Sequence, residues 1–207
     1  MSNRRIYIDI DDVLAHTIAR LLDLLEEVHD RRVDLQDVTQ FDLKKPFGLE
    51  EHEIESFMER GHEAEFIQSI APIEGAIDVL SRWNAAGVHI TLVTGRPPVT
   101  NAASLRWLET HGIRHHALHH LDKWSRPSWN RDGLPAIGFA DIPDFDFDFA
   151  VEDNLDTAVR LVEQFGIPVA LMDRPWNRSL DSVAHETRDS LVRCVSWSQV
   201  ESAFGAT

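Results

Sequence analysis

Apolar positions along the chain fall into two rhythms. Ile6, Tyr7, Ile8 and Ile10 form a β-prone run, as a strand buried on both faces requires. Ile18, Leu21, Leu22, Leu25 and Val28 then repeat at helical spacing and predict a helix over about 16–29. From 31 to 71 the pattern loosens. Gly48 precedes a Glu-rich helix with Ile54, Phe57 and Met58 as its apolar stripe, and Gly61 is expected to end it. A short helix is expected over 62–69, before Pro72.

From Pro72 onward helices and strands alternate. The expected order is helix 74–86 closed by Gly87, strand 88–93, helix 101–110 closed by Gly112, and a short strand within 114–121. An aperiodic loop, 122–143, leads to strand 145–151, helix 155–165 closed by Gly166, strand 168–172, and a last helix 197–204 capped by Ser196. This alternation predicts an α/β fold, a Rossmann-like parallel sheet with helices on both faces. Residues 1–14 and 72–207 are assigned to the core domain, and 15–71 to a small helical insert after the first strand.

Composition narrows the function. The 207 residues, 43% of them hydrophobic, suffice for one substantial core plus a small accessory unit. A net charge of -15, from 35 acidic and 20 basic residues, disfavours a nucleic-acid polymer or an anionic membrane as partner. A small anionic substrate then needs local positive charge or a metal ion. The single cysteine, Cys194, excludes a disulfide framework and a multi-cysteine zinc site, and its neighbours Val192 and Val195 suggest a buried thiol. No leader and no membrane-length apolar stretch is seen, so a cytoplasmic location is the expectation. No heptad run appears, and the oligomeric state is open.

Candidate chemistry gathers at strand ends. In a parallel sheet of this kind ligands bind beyond the carboxyl ends of the strands. Asp9 and Asp11, Thr94, Lys123, and Glu152 with Asp153 each follow a predicted strand there. Carboxylates so placed repel one another unless a cation or a shared proton intervenes, and they make a hard oxygen site suited to Mg²⁺. A hydroxyl and an ammonium beside them suit phosphoryl oxygens. Together these are the parts of phosphoryl transfer through an aspartyl-phosphate.

Asp9-Ile10-Asp11-Asp12-Val13-Leu14, Val93-Thr94-Gly95-Arg96, Lys123 and Glu152-Asp153 stand in the order and approximate spacing of four motifs. In this the chain resembles the haloacid dehalogenase-like (HAD) phosphatase superfamily, over nearly its whole length. The resemblance implies Asp9 as nucleophile and Asp11 as general acid and then base. It implies Thr94, Gly95 and Lys123 around the phosphoryl group. It implies Mg²⁺ held by Asp9, Asp153 and the backbone carbonyl of Asp11, with a cap formed by 15–71. Asp12 departs from the pattern, which has Gly there, and is expected to face solvent. Thr39-Gln40-Phe41-Asp42, Asp122-Lys123 and Leu171-Met172-Asp173-Arg174-Pro175-Trp176-Asn177-Arg178 resemble the 5′(3′)-deoxyribonucleotidase group of 5′-nucleotidases. That finer resemblance implies a small phosphorylated substrate, a nucleotide.

Plainer readings stand beside these. Phe41 stacks on a base or packs in the cap. Arg96 contacts substrate or orients the loop after Thr94, and Glu152 supports the site or touches substrate. Arg126 or Arg131 could replace Lys123. Trp176 and Asn177 read as a structural turn. His115, His116, His119 and His120 read as an exposed edge strand rather than a metal tract, and Asp141, Asp144, Asp146 and Asp148 as a solvated approach to a strand. The rival functions are a phosphatase for another metabolite such as a sugar phosphate, a dehalogenase, a receiver-like signalling module, and a non-catalytic binding homologue.

Overall fold

Strands with apolar side chains on both faces need cover on both, and the chain supplies it. The computed structural model describes residues 4–123 and 136–205. Among these, six strands form one sheet: β1 (Arg5–Ile8), β2 (His89–Thr94), β3 (Ala117–His120), β4 (Phe149–Glu152), β5 (Val169–Met172) and β6 (Leu191–Cys194). Their order is β3-β2-β1-β4-β5-β6, and every pairing is parallel. The helices are α1 (Thr17–His29), α2 (Lys44–Phe47), α3 (Glu51–Gly61), α4 (Ala64–Ser69), α5 (Ala76–Ala85), α6 (Asn101–Thr110), α7 (Leu155–Phe165), α8 (His185–Arg188) and α9 (Trp197–Phe204).

Alternation along the strands separates two cores. Ile6, Ile8, Phe149, Val151, Ala170 and Met172 face one side, under Leu80 and Trp83 of α5, Trp107 of α6 and Trp197 of α9. Tyr7, Ala150, Val169 and Leu171 face the other, under Ala158 and Leu161 of α7. The first core continues into the segment between β1 and α5: Leu21, Leu24 and Leu25 of α1, Phe57 of α3, and Phe66 and Ile67 of α4 belong to it. The two linkers of that segment bond each other, with His16 N donating to Ala71 O at 2.9 Å and Ile73 N to Leu14 O at 2.8 Å.

Several expectations need correction. Strand 145–151 begins only at Phe149, because Phe139–Phe145 winds into a 3₁₀ turn and Asp146 takes a left-handed φ of 54°. Most of the expected loop 122–143 lies outside the described residues. On α1, Leu24 rather than Val28 faces the core, and Val28 is exposed. Gly61 does not end α3 by a left-handed turn. It is the last helical residue, and a Cβ there would lie 3.1 Å from Leu21 Cδ2, so its use is close contact with α1. β6 and α8 were not anticipated. Cys194 is buried as expected, but Val192 and Val195 are not, since β6 is the sheet's last strand among the described residues and turns Val192 outward. No described helix is long and apolar enough to cross a membrane.

Candidate active site

The strand order reverses at β1: β2 and β3 lie to one side, β4 to β6 to the other. Such a reversal opens a crevice beyond the carboxyl ends of the two strands that flank it. Ile8 pairs with Val151, so the next residues on each strand, Asp9 and Glu152, emerge side by side. Asp9 remains in the ladder, its N–H donating to Val151 O at 3.0 Å. Asp9, Glu152 and Asp153 are all buried, and each offers an oxygen within 4.8 Å of the others.

The three carboxylates are not equivalent. Glu152 is saturated: Oε1 accepts from Lys123 Nζ at 2.8 Å and Tyr7 Oη at 3.4 Å, and Oε2 from the N–H groups of Asp153 and Asn154. Asp9 Oδ1 is buried with no hydrogen-bond partner. Burial pushes the Asp9 carboxyl well above its ordinary range; Glu152 and Asp11 add to the rise and Lys123 opposes it. Burial likewise raises Asp153, helped by Glu152, Asp9 and Asp12. An orphaned oxygen between crowded acids is the donor set a hard divalent cation relieves. Asp9 and Asp153 fit that use, whereas the oxygens of Glu152 are engaged in holding Lys123 and the chain after β4.

Asp11 turns elsewhere. The Arg96 guanidinium, itself 5% exposed, clasps it: Nη2 to Oδ1 at 2.7 Å, Nε to both oxygens at 3.0 and 3.1 Å. Thr17 Oγ1 donates to Oδ1 at 2.5 Å, and Thr94 Oγ1 approaches Oδ2 at 3.5 Å. Burial alone would raise this carboxyl, but Arg96 and Thr17, with the charge of His62, hold it below its ordinary value. The main side-chain partner of Arg96 is thus the second aspartate, while its backbone N–H donates to Thr94 Oγ1 at 3.1 Å, in keeping with its orienting the loop after Thr94. Its backbone oxygen is fastened by His120 Nδ1 at 2.9 Å, and its Nη1 donates to Ser104 Oγ at 3.2 Å.

Lys123 sits at the turn after β3, with its side chain buried against Glu152. Burial works against its charge, yet Asp9 and Glu152 raise its pKa, so it stays an ammonium. A Cβ on Gly95 would lie 3.4 Å from Lys123 Cε and 3.7 Å from its Nζ, an ordinary contact distance, so Gly95 borders that side chain without being required by it. Arg126 and Arg131, the alternative cations, lie outside the described residues.

Asp12 does not face solvent. It is 6% exposed, and its carboxylate accepts from Ile18 N in the first turn of α1. Its φ of 54° explains the usual Gly, because only Gly, Asn and Asp enter this region cheaply. Burial and the neighbouring Asp11 push it up to about 8.

The turn after β5 also proved larger in consequence than expected. Trp176 Nε1 donates to Asp153 Oδ2 at 2.8 Å, and Asn177 Nδ2 to Asp153 O and Met172 O at 2.7 Å each. Arg174 donates twice to Asp12 O, at 3.0 and 2.6 Å. Phe41 is 43% exposed. Among the described residues no histidine joins the acidic group, but His120 is buried, not exposed, between Arg96 O and Asn101 Oδ1; Asp141, Asp144, Asp146 and Asp148 are exposed, as anticipated. Tyr7 and Thr17 were missed, although Tyr7 stands two residues before Asp9 on one strand face.

Comparisons with known proteins bear on the family and the fold. Residues 3–123 match the family model described as 5′ nucleotidase, deoxy (pyrimidine), cytosolic type C. A candidate nucleotidase of Halalkalibacterium halodurans, BH1399, is 28% identical over 198 residues, covering 96% of this chain and 91% of the relative. Among solved structures, a predicted phosphatase of Clostridium acetobutylicum superposes with a TM-score of 0.62 at 12% identity, over 97% of each chain. A HAD family hydrolase of Deinococcus radiodurans, with bound phosphate and sodium, gives 0.60 at 14% identity, over 98% of this chain and 96% of that one.

Proposed function

The chain belongs to the cytosolic type C 5′ nucleotidase (deoxy, pyrimidine) family of HAD-like phosphoric monoester hydrolases, and from that premise we propose a Mg²⁺-dependent 5′-nucleotidase working through an aspartyl-phosphate. The observation that supports it most is the unpartnered buried oxygen of Asp9 beside Asp153 and Lys123. Asp9, Asp153 and the Asp11 backbone carbonyl are assigned to the metal. Bound there, Mg²⁺ would offset the charge of the acids and of the substrate's phosphoryl oxygens.

An Asp9 oxygen attacks phosphorus and the bond from phosphorus to the ester oxygen breaks. Asp11 gives its proton to that departing oxygen. Water then attacks phosphorus, Asp11 takes the water's proton, and the bond to Asp9 breaks, leaving free enzyme and inorganic phosphate. Arg96 and Thr17 favour the carboxylate form of Asp11, which suits the second half-reaction; the first needs this pair to loosen. Thr94, Gly95 and Lys123 are assigned to the phosphoryl oxygens. Residues 15–71 are assigned as the cap that covers the substrate, and Phe41 as a residue that contacts its base.

The test is a phosphatase screen over nucleotides, sugar phosphates and small phosphorylated acids, with and without Mg²⁺, on the parent and Asp9→Asn. Hydrolysis of a nucleoside monophosphate that needs Mg²⁺ and drops roughly 10³-fold or more in the variant is expected. Full activity in the variant defeats the mechanism. Preference for a sugar phosphate defeats the nucleotidase assignment alone.

A further inference from the structure

The tight segment after β5 grips the site from three directions. Asn177 is wholly buried, and its side chain ties Asp153 O and Met172 O while accepting from Arg174 N at 3.2 Å and Arg193 Nη1 at 2.7 Å. Arg174 holds the backbone of Asp12. Between these fixed points the indole of Trp176 reaches one atom, Oδ2 of Asp153. Among the described residues no donor meets the other oxygen, Oδ1.

An indole N–H is a donor only and sits on a rigid, planar frame. Bonded to Oδ2, it stops the Asp153 carboxylate from rotating and leaves one oxygen for any cation. That matters because the two common hard cations ask for different things. Mg²⁺ takes six oxygens in near-octahedral array and is served by single carboxylate oxygens; Ca²⁺ takes six to eight and accepts both oxygens of one carboxylate. We propose that Trp176 is a positioning residue that sets the metal preference of the site, favouring Mg²⁺ over Ca²⁺ by withholding one oxygen of Asp153. This rests on the metal assignment made above for Asp9 and Asp153.

A bland account competes with it. A partly buried tryptophan seeks some acceptor for its N–H, and Asp153 is within reach. The two accounts part when the N–H is removed and the ring kept. Trp176→Phe removes the donor; replacing Trp176 by benzothienylalanine, with sulfur in place of N–H, changes the ring still less and covers the case of a poorly folding Phe variant.

Calorimetric titration of Mg²⁺ and of Ca²⁺ into the metal-free full chain, parent and variants, reads the effect without turnover. The Mg²⁺ dissociation constant is expected to rise roughly ten- to a hundredfold in both variants. The Ca²⁺ constant should hold or fall, so that the preference for Mg²⁺ shrinks at least as much. With saturating Mg²⁺, kcat should stay within a few-fold of the parent. If the parent binds Mg²⁺ and the variants keep its affinity and preference, Trp176 only packs and the inference is overturned while the metal assignment stands. If the parent binds neither cation, the metal assignment fails first and the inference falls with it.

Discussion

Asp12 shows how one residue can serve the backbone at a cost to itself. Its left-handed φ and its bonds from Ile18 N anchor the start of α1 directly behind Asp11. The cost is a buried carboxyl pushed from an ordinary 3.8 to about 8. Well below pH 3.8 the group is protonated whether folded or unfolded, and no penalty arises. Above it the unfolded chain ionises first, so the penalty grows with pH and is complete above about 8. Asn tolerates the same φ and keeps an acceptor for Ile18 N. Asp12→Asn should therefore leave thermal stability nearly unchanged at about pH 3 and raise it at about pH 8, by on the order of 1–3 kcal/mol. Melting curves at the two pH values check this, and a gain that is equal at both would contradict it.

Among the elements, the segment after β5 carries more of the site than any stretch of its length. Asn177 gives or takes four bonds, two of them fully buried, that join β5, β6 and the end of β4. Asn177→Ala strands two backbone carbonyls, and it should cost about 2–4 kcal/mol. Urea unfolding measures it; a loss below ~1 kcal/mol would mean that water replaces the amide without penalty. The motif residues themselves were legible because each is a polar group placed at the end of an apolar run: Asp9 after β1, Thr94 closing β2, Glu152 and Asp153 closing and following β4. What stayed hidden has physical causes. β6 reads poorly because an outermost strand exposes one face, so Val192 and Arg193 break the apolar run. The bond from Trp176 to Asp153 joins residues 23 apart in sequence, and no local pattern encodes it. Asp12 was misjudged because charge suggests solvent, while the requirement at that position is a backbone angle.

At the scale of the whole molecule, a site built for anions sits in a chain of net charge -15. The side chains of Lys123 and Arg96 are both buried and both paired with carboxylates, so neither projects a field far into solvent. A phosphate dianion therefore approaches against the long-range potential and meets attraction only at short range. Salt screens the former more than the latter, because exposed charges lie in solvent while the site's own groups are covered. For most enzymes that steer an anion, added salt slows capture; here the sign should reverse. With Mg²⁺ held saturating, kcat/KM for a nucleoside monophosphate should rise about two- to fivefold between roughly 10 and 150 mM NaCl, as the Debye length shrinks from about 30 to about 8 Å. The effect belongs in KM, because kcat reports a complex in which the charges are already in contact. An unchanged or falling kcat/KM would mean that the local field of the site, and not the net charge of the chain, governs substrate capture.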